Sequence, residues 1–435
     1  MTAAGLTANV VNMAQKYGLT RDIAFDYSSL LGGQLGRLVF SLVYFVTLTK
    51  ALSLGDFGVF ATGSAIGIVL SRIAGFGFLS PLYRVSVTRP RLIGSYSLAY
   101  LSALVLSLPL IVGIAMALYF SLYTEFMPIH AFLLIVLAEV LMWRSLEVVI
   151  IVNNGLNRFA TGSMLGIAGV AAKAVSAFWF LFHGNADLEL WTMIYFATNA
   201  AIALSAIAFF YPKQRLRWRP RAWLGRMRDA VGVSAAEALF YIQAELDKVL
   251  VLALGGEMVA GKYSIIMRLV DLTAMPLRAL STLLIQWIMR KRQAGQPTRH
   301  GLLIDMGIGL VSSSILAAAA VILWALPGVF GNSIAIAAPF VPLLLLVPAF
   351  RNILEYHTEL LYAHEMMAIR VVLLIYVGSL KAFLLWMLLG TTSDFAVIAV
   401  WLNAVFAVLW LCSALVTYGR LRMERDRASK AYRVS

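Results

Sequence analysis

Charge is scarce in this sequence. Asp, Glu, Lys and Arg together make up 13% of 435 residues, about half the ~25% carried by a soluble domain. Too little polar surface is left to cover a soluble globule. Cysteine is scarcer still: Cys412 stands alone, so it has no partner for an internal disulfide or a thiolate cage and is read as packing. The five histidines, His130, His183, His300, His357 and His364, are scattered without metal-ligand spacing. His357 and His364 are expected to mark the cytoplasmic end of a span. No pattern suggests bond chemistry, so neither an enzyme nor a metal centre is expected.

What is abundant is apolar sequence, at 61% of the chain. It recurs in segments near the ~20 residues that cross a ~30 Å hydrocarbon core as a helix. The expectation is an all-α polytopic membrane protein of about twelve spans, at 28–49, 58–80, 95–119, 130–152, 161–182, 191–211, 230–254, 262–286, 301–326, 337–359, 367–389 and 395–418. The division that follows is a 1–27 cytoplasmic segment, a 28–211 six-helix bundle, a 212–229 basic linker, a 230–418 six-helix bundle and a 419–435 basic tail. Within the first segment, 8-ANVVNMAQKYG-18 reads as at most a short interfacial helix.

The net charge of +14 raises nucleic acid as a partner, but its distribution follows membrane topology. Alternate connections, with both termini, collect 23 of the 35 Lys and Arg, while the opposite connections hold only Lys50 and Lys262. The positive-inside rule then places both termini in the cytoplasm. Ten positive charges remain inside or at the ends of spans: Arg37, Arg72, Arg144, Lys173, Lys248, Arg268, Arg278, Arg351, Arg370 and Lys381. Snorkelling to the interface can account for Arg278 and Arg370. It accounts poorly for Arg144, Lys173 and Arg268, since a charge at the bilayer centre costs at least about 2.5–3.5 kcal/mol.

Acidic residues share faces with several of these bases. Arg144 and Glu147 are three apart in 141-LMWRSLEVVI-150. Arg268, Asp271 and Arg278 form one stripe; Glu237, Glu245 and Lys248, with Asp247 beside them, form another; Arg351, Glu355 and Glu359 form a third. Static salt bridging explains any one pair. It does not explain the first half, where Arg37, Arg72, Arg144 and Lys173 face only Glu139 and Glu147. The expectation is a cationic cavity lined by Arg37, Arg72, Arg144, Lys173, Lys248, Arg268, Arg278, Arg351 and Lys381. Glu147, Glu237, Asp247, Asp271 and Glu355 would balance charge or couple an ion.

Two offsets suggest an internal repeat. At 208 residues, Glu147 meets Glu355, Lys173 meets Lys381 and Phe132 meets Phe340; at 203, 58-GVF-60 meets 261-GKY-263. Two six-span halves have the same orientation and would be parallel repeats about an axis normal to the membrane, with a site at their interface.

Three stretches, 30-LLGGQLGRLVF-40 leading into 49-TKALSLGDFGVFATGSAIG-67, 152-VNNGLNRFATGSMLG-166 and 254-LGGEMVAGKYSIIMRLVD-271, resemble the polysaccharide-exporting (Wzx-like) flippases of the multidrug/oligosaccharidyl-lipid/polysaccharide (MOP) exporter superfamily. The motifs are degenerate, and the likeness rests on their order over residues 25–418. It implies a bacterial inner-membrane transporter with two bundles in a V and a central cationic cavity. Such a protein moves undecaprenyl-pyrophosphate-linked oligosaccharide by alternating access in O-antigen or exopolysaccharide biosynthesis. The implied partners are that lipid, membrane lipids, a polysaccharide polymerase and other assembly proteins. No cofactor is implied, and a proton or sodium gradient is the candidate energy source. Two alternatives stay open. A cation-coupled multidrug exporter of the same superfamily fits the fold, although an excess of buried Arg suits cationic drugs badly. A membrane enzyme such as a polysaccharide polymerase would need a larger loop than the roughly ten-residue connections 120-FSLYTEFMPI-129 and 327-PGVFGNSIAIA-337.

Overall fold

Apolar sequence that cannot find water must satisfy its backbone internally, and here it does so as helix. The computed structural model describes residues 21–183, 187–218, 220–293, 301–326 and 328–434. The expected interfacial helix at 8–18 lies outside them, as does His300. The helices are α1 Arg21–Ala51, α2 Leu54–Ile73, α3 Leu79–Thr88, α4 Ile93–Leu118, α5 Ile129–Leu137, α6 Arg144–Gly155 and α7 Phe159–Phe182. They continue as α8 Leu188–Phe210, α9 Pro220–Gln293, α10 Gly301–Ala325, α11 Asn332–Ala337, α12 Val347–Ala363, α13 Met367–Thr391 and α14 Phe395–Val434. No strand occurs among the described residues.

Among the described residues, eight helical stretches are long and apolar enough to cross a membrane, or nine if the pair Asn332–Leu344 and Val347–Ala363, bent by 70°, counts as one. The chain is a multi-pass membrane protein. Four of the twelve expected spans are not separate stretches of this kind, and each has a local reason. The seventh and eighth run together in α9, interrupted only where Gly256 takes φ 77° and ψ 177°; Leu224–Arg278 is 55 residues, about 80 Å of helix and enough for two passes. The fourth is divided by a π-helical segment, Ala138–Trp143, between α5 and α6. The first is the less apolar α1. α9 also begins at Pro220, inside the expected linker, where proline's missing N–H costs nothing at a helix start.

At several short connections side chains cap the start of the next helix. Ser53 Oγ donates to Asp56 Oδ2 at 2.6 Å and accepts from the Asp56 N–H at 3.1 Å, closing the Leu-Gly-Asp-Phe-Gly turn at the start of α2. Asp187 accepts the Glu189 N–H in front of α8, and Asp394 accepts the Ala396 N–H in front of α14. The 152–166 turn places Asn157 at φ 59°, a left-handed position that Asn tolerates.

The chain divides into two compact units. The first holds α1, Leu70–Ala117 and Pro128–Ala235; the second holds Leu52–Val69, Leu118–Met127 and everything from Ala236 onward. A core of Phe78, Leu82, Ile93, Tyr100, Val152 and Ala230 anchors the first, and one of Leu277, Ile308, Ile353, Tyr356 and Leu360 the second. Exposed side chains such as Phe182, Phe209, Leu310 and Trp324 make the outer surface a lipid-facing one. In the second unit Gly58 and Gly261, matched by the 203-residue offset, meet face to face. A Cβ on Gly58 would lie 2.9 Å from the Gly261 Cα and 2.7 Å from the Glu257 carbonyl oxygen, so the missing side chains let the two backbones touch.

Candidate functional site

The first unit concentrates charge where α2, α6, α7 and α8 converge. Glu147 holds two arginines at once. Arg72, from the end of α2, grips it bidentately, Nη1 to Oε2 and Nη2 to Oε1, both at 3.2 Å. Arg144, one turn earlier on α6, donates from Nη1 to Oε2 at 2.8 Å. The Arg144 side chain is 2% exposed and those of Arg72 and Glu147 are 11% and 21% exposed. Two guanidinium groups thus share one carboxylate.

Directly N-terminal lies the π-helical segment, which offers two more members. Lys173 on α7 donates from Nζ to Tyr195 Oη at 3.0 Å and sits 3.8 Å over the Trp143 ring. Tyr195 in turn donates to Glu139 through a very short bond. Widened turns of this kind often mark functional segments; here one sets Glu139 and Trp143 on the same charge as α7. Arg37, half-buried on α1, lays its stem across Gly166, where a Cβ would come within 3.1 Å of Cδ.

Arg72 is followed by a left-handed turn in which two of the three residues are glycine. After α2 the chain passes through Gly75, Phe76 and Gly77 at φ 70°, 46° and 71°. The Gly75 N–H is fixed to Ser107 Oγ at 3.0 Å, and Ser234 Oγ donates to the Arg72 carbonyl at 2.7 Å. A Cβ on Gly77 would fall on the Ala230 carbonyl oxygen and within 2.9 Å of Ser234 Cβ. Gly77→Ala is therefore expected to destabilise the first unit by about 1–3 kcal/mol through backbone strain, read as a lower thermal midpoint of the detergent-solubilised protein.

The second unit carries more charges and pairs most of them across helices. Asp247 on α9 meets Lys381 of α13 at 3.2 Å and accepts from Tyr263 Oη at 2.7 Å. Asp271 meets Arg351 of α12 at 2.6 Å, and Glu355 meets Arg278 at 2.7 and 3.1 Å. Lys248 meets Glu245 at 2.5 Å, and Arg370 meets Glu359 at 2.8 Å. Arg268 lies one turn before Asp271, and Glu237 is half-buried further up the same helix. Of the expected residues, Arg72, Arg144, Glu147 and Lys173 thus gather in the first unit, with Arg37 on neighbouring α1. Lys248, Asp247, Asp271, Arg278, Arg351, Glu355 and Lys381 gather as pairs in the second.

Sequence reading missed Trp143, Tyr195 and Tyr263, because an aromatic on an apolar helix carries no pattern of its own. It also missed the partners of His357. That ring is fully buried, with Nε2 3.0 Å from Asp305 Oδ2 of α10 and Nδ1 3.0 Å from Ser413 Oγ of α14. It belongs to a three-helix polar core of α10, α12 and α14. His364 ends α12, with its Nδ1 2.9 Å from the Leu360 carbonyl oxygen.

No family model matches the sequence and no curated protein matches it. Solved structures do. The inward-facing conformation of a multidrug resistance MATE family transporter of the MOP superfamily superposes with a TM-score of 0.60 at 14% identity, covering 91% of this chain and 95% of that one. The fold is MATE-like. A MATE in complex with MaL6 gives 0.55 at 12% identity over 93% and 97% of the two chains. A MOP superfamily transporter from Pyrococcus furiosus, described as having a binding pocket of reverse polarity, gives 0.55 at 12% over 93% and 95%. These neighbours give the MATE-like fold for nearly the whole chain. None of them specifies the polysaccharide-exporting branch.

Proposed function

We propose that this protein is a transporter working by alternating access, and that its cargo is anionic at the end the protein grips. The cargo class is an undecaprenyl-pyrophosphate-linked oligosaccharide, turned from the cytoplasmic to the periplasmic leaflet of a bacterial inner membrane with both termini in the cytoplasm. The observation that carries this is the concentration of basic side chains in the first unit: Arg72 and Arg144 share Glu147, with Lys173 and Arg37 nearby. Guanidinium matches phosphate oxygens bidentately and stays charged wherever it is buried. A diphosphate entering there would replace Glu147 as the partner of one arginine, and the freed carboxylate would keep the other.

The second unit supplies Asp247, Asp271 and Glu355, whose basic partners would have to be exchanged before any of them could carry a proton or sodium ion. A second reading, cation-coupled multidrug export, is favoured by the description of the structural neighbour with the TM-score of 0.60. Reconstitution separates the two. Proteoliposomes given a fluorescent lipid-diphosphate oligosaccharide should lose label to an external quencher or lectin only when the protein is present. A deletion strain should accumulate lipid-linked precursor with unchanged drug sensitivity. Drug hypersensitivity with normal surface polysaccharide would transfer the assignment to the second reading.

A further inference from the structure

α3 is a ten-residue amphipathic helix that follows the Gly75–Gly77 turn. One face, Leu79, Leu82 and Val85, is buried in the first unit's core, while Tyr83 and Val87 remain 45% and 52% exposed. Such a helix at the end of a span suits the membrane interface, with apolar side chains among acyl chains and basic ones at headgroup level. Its exposed end borders a cavity of about 340 Å³ that is lined by Arg84, Thr88, Arg89, Tyr96, Arg226 and Asp229. All six residues belong to the first unit.

The three arginines come from α3, the residue that closes it, and the first turns of α9. The positive-inside rule explains basic connections but does not require them to converge on one concavity. Among the described residues, Arg84 and Arg89 have no carboxylate partner, and Arg226 has only a loose, exposed contact with Asp229 at 3.6 Å. Three guanidinium groups against one carboxylate give the cavity a net positive charge, with the Tyr96 hydroxyl at its wall. We infer that this cavity binds the phosphate-bearing headgroup of an anionic phospholipid of the surrounding leaflet, whose acyl chains lie beside Tyr83 and Val87. The shared chemistry is a phosphate group, and the exposed apolar flank of α3 favours its lipid-borne source over a free anion. The site is separate from the Arg72–Glu147–Arg144 cluster and does not depend on what cargo the transporter carries.

The test uses the full-length protein in detergent. It is titrated with phosphatidylglycerol and, separately, with inorganic phosphate, and bound adducts are counted by native mass spectrometry. One tight phosphatidylglycerol per chain is expected. R84Q/R89Q/R226Q should weaken it by about a hundredfold, at roughly 1 kcal/mol per interfacial charge. R420Q/R422Q/R425Q removes as much charge elsewhere and should leave it unchanged. D229N removes the opposing carboxylate and should tighten binding, a gain that a misfolded variant cannot imitate. Equal binding by wild type, the pocket triple and D229N would overturn the site, as would an equal loss in the tail triple. Inorganic phosphate binding with the same arginine dependence, and no preference for the lipid, would overturn the lipid assignment in favour of a soluble anion.

Discussion

Glu147→Gln is expected to remove most of the folded protein from the membrane. The substitution keeps the shape of the side chain but deletes the charge that Arg72 and Arg144 share at 3.2 and 2.8 Å. Two guanidinium groups, both largely buried, would then lose the counter-charge they share. Breaking a buried ion pair from one side costs about 3–5 kcal/mol, a large share of the 5–15 kcal/mol by which a typical domain is stable. Abundance in isolated membranes and the midpoint of thermal aggregation should both fall. The triple R72M/E147M/R144M removes every charge together and should recover abundance, because apolar replacements of a buried charge cluster are often neutral. It should not recover transport. If the single substitution leaves abundance and midpoint untouched, the cluster is not the buried charge lock described above.

Arg144→Ala is expected to do the reverse, lowering transport by about 10–100-fold while leaving abundance near wild type. Arg72 still satisfies Glu147 through two hydrogen bonds, so no carboxylate is stranded. What disappears is one charge-assisted contact to a phosphate, worth about 1.5–3 kcal/mol. Lys381→Ala provides the contrast. Asp247 is 1% exposed and would keep the Tyr263 hydroxyl and the Lys248 backbone N–H but lose its cross-helix ion pair, so the loss should appear in abundance first, at a cost of about 3–5 kcal/mol. Equal behaviour of the two variants, in either assay, would contradict a division between a carboxylate shared by two arginines and one held by a single cross-helix lysine.

The local part of this arrangement was legible in the sequence and the long-range part was not. Arg144 and Glu147 share a helix face by spacing alone, and the bond between them is the one that spacing predicts. The stripes on α9 and α12 were legible as faces, yet their partners were not. Asp271 is bonded to Arg351 and Glu355 to Arg278, across helices rather than along them. Periodicity fixes which side of a helix is polar but says nothing about which neighbour it will meet. The same limit hid Asp305 from His357, 52 positions away. Span counting missed for a different reason. Hydropathy reports how apolar a window is, and neither the π-helical turns at 138–143 nor the Gly256 interruption changes that.

The 75 positions between Arg72 and Glu147 also bear on how the protein is made. At about 5–20 residues per second of synthesis, some 4–15 seconds separate the emergence of the two side chains from the ribosome. During that interval the helix carrying Arg72 has been delivered to the insertion machinery before its counter-charge exists. The guanidinium must either reach the interface or keep its helix beside the aqueous insertion channel until α6 arrives. Where the guanidinium does not reach the interface, the second helix stays beside the channel until α6 arrives, and the Arg72–Glu147 salt bridge is then the contact that completes its burial.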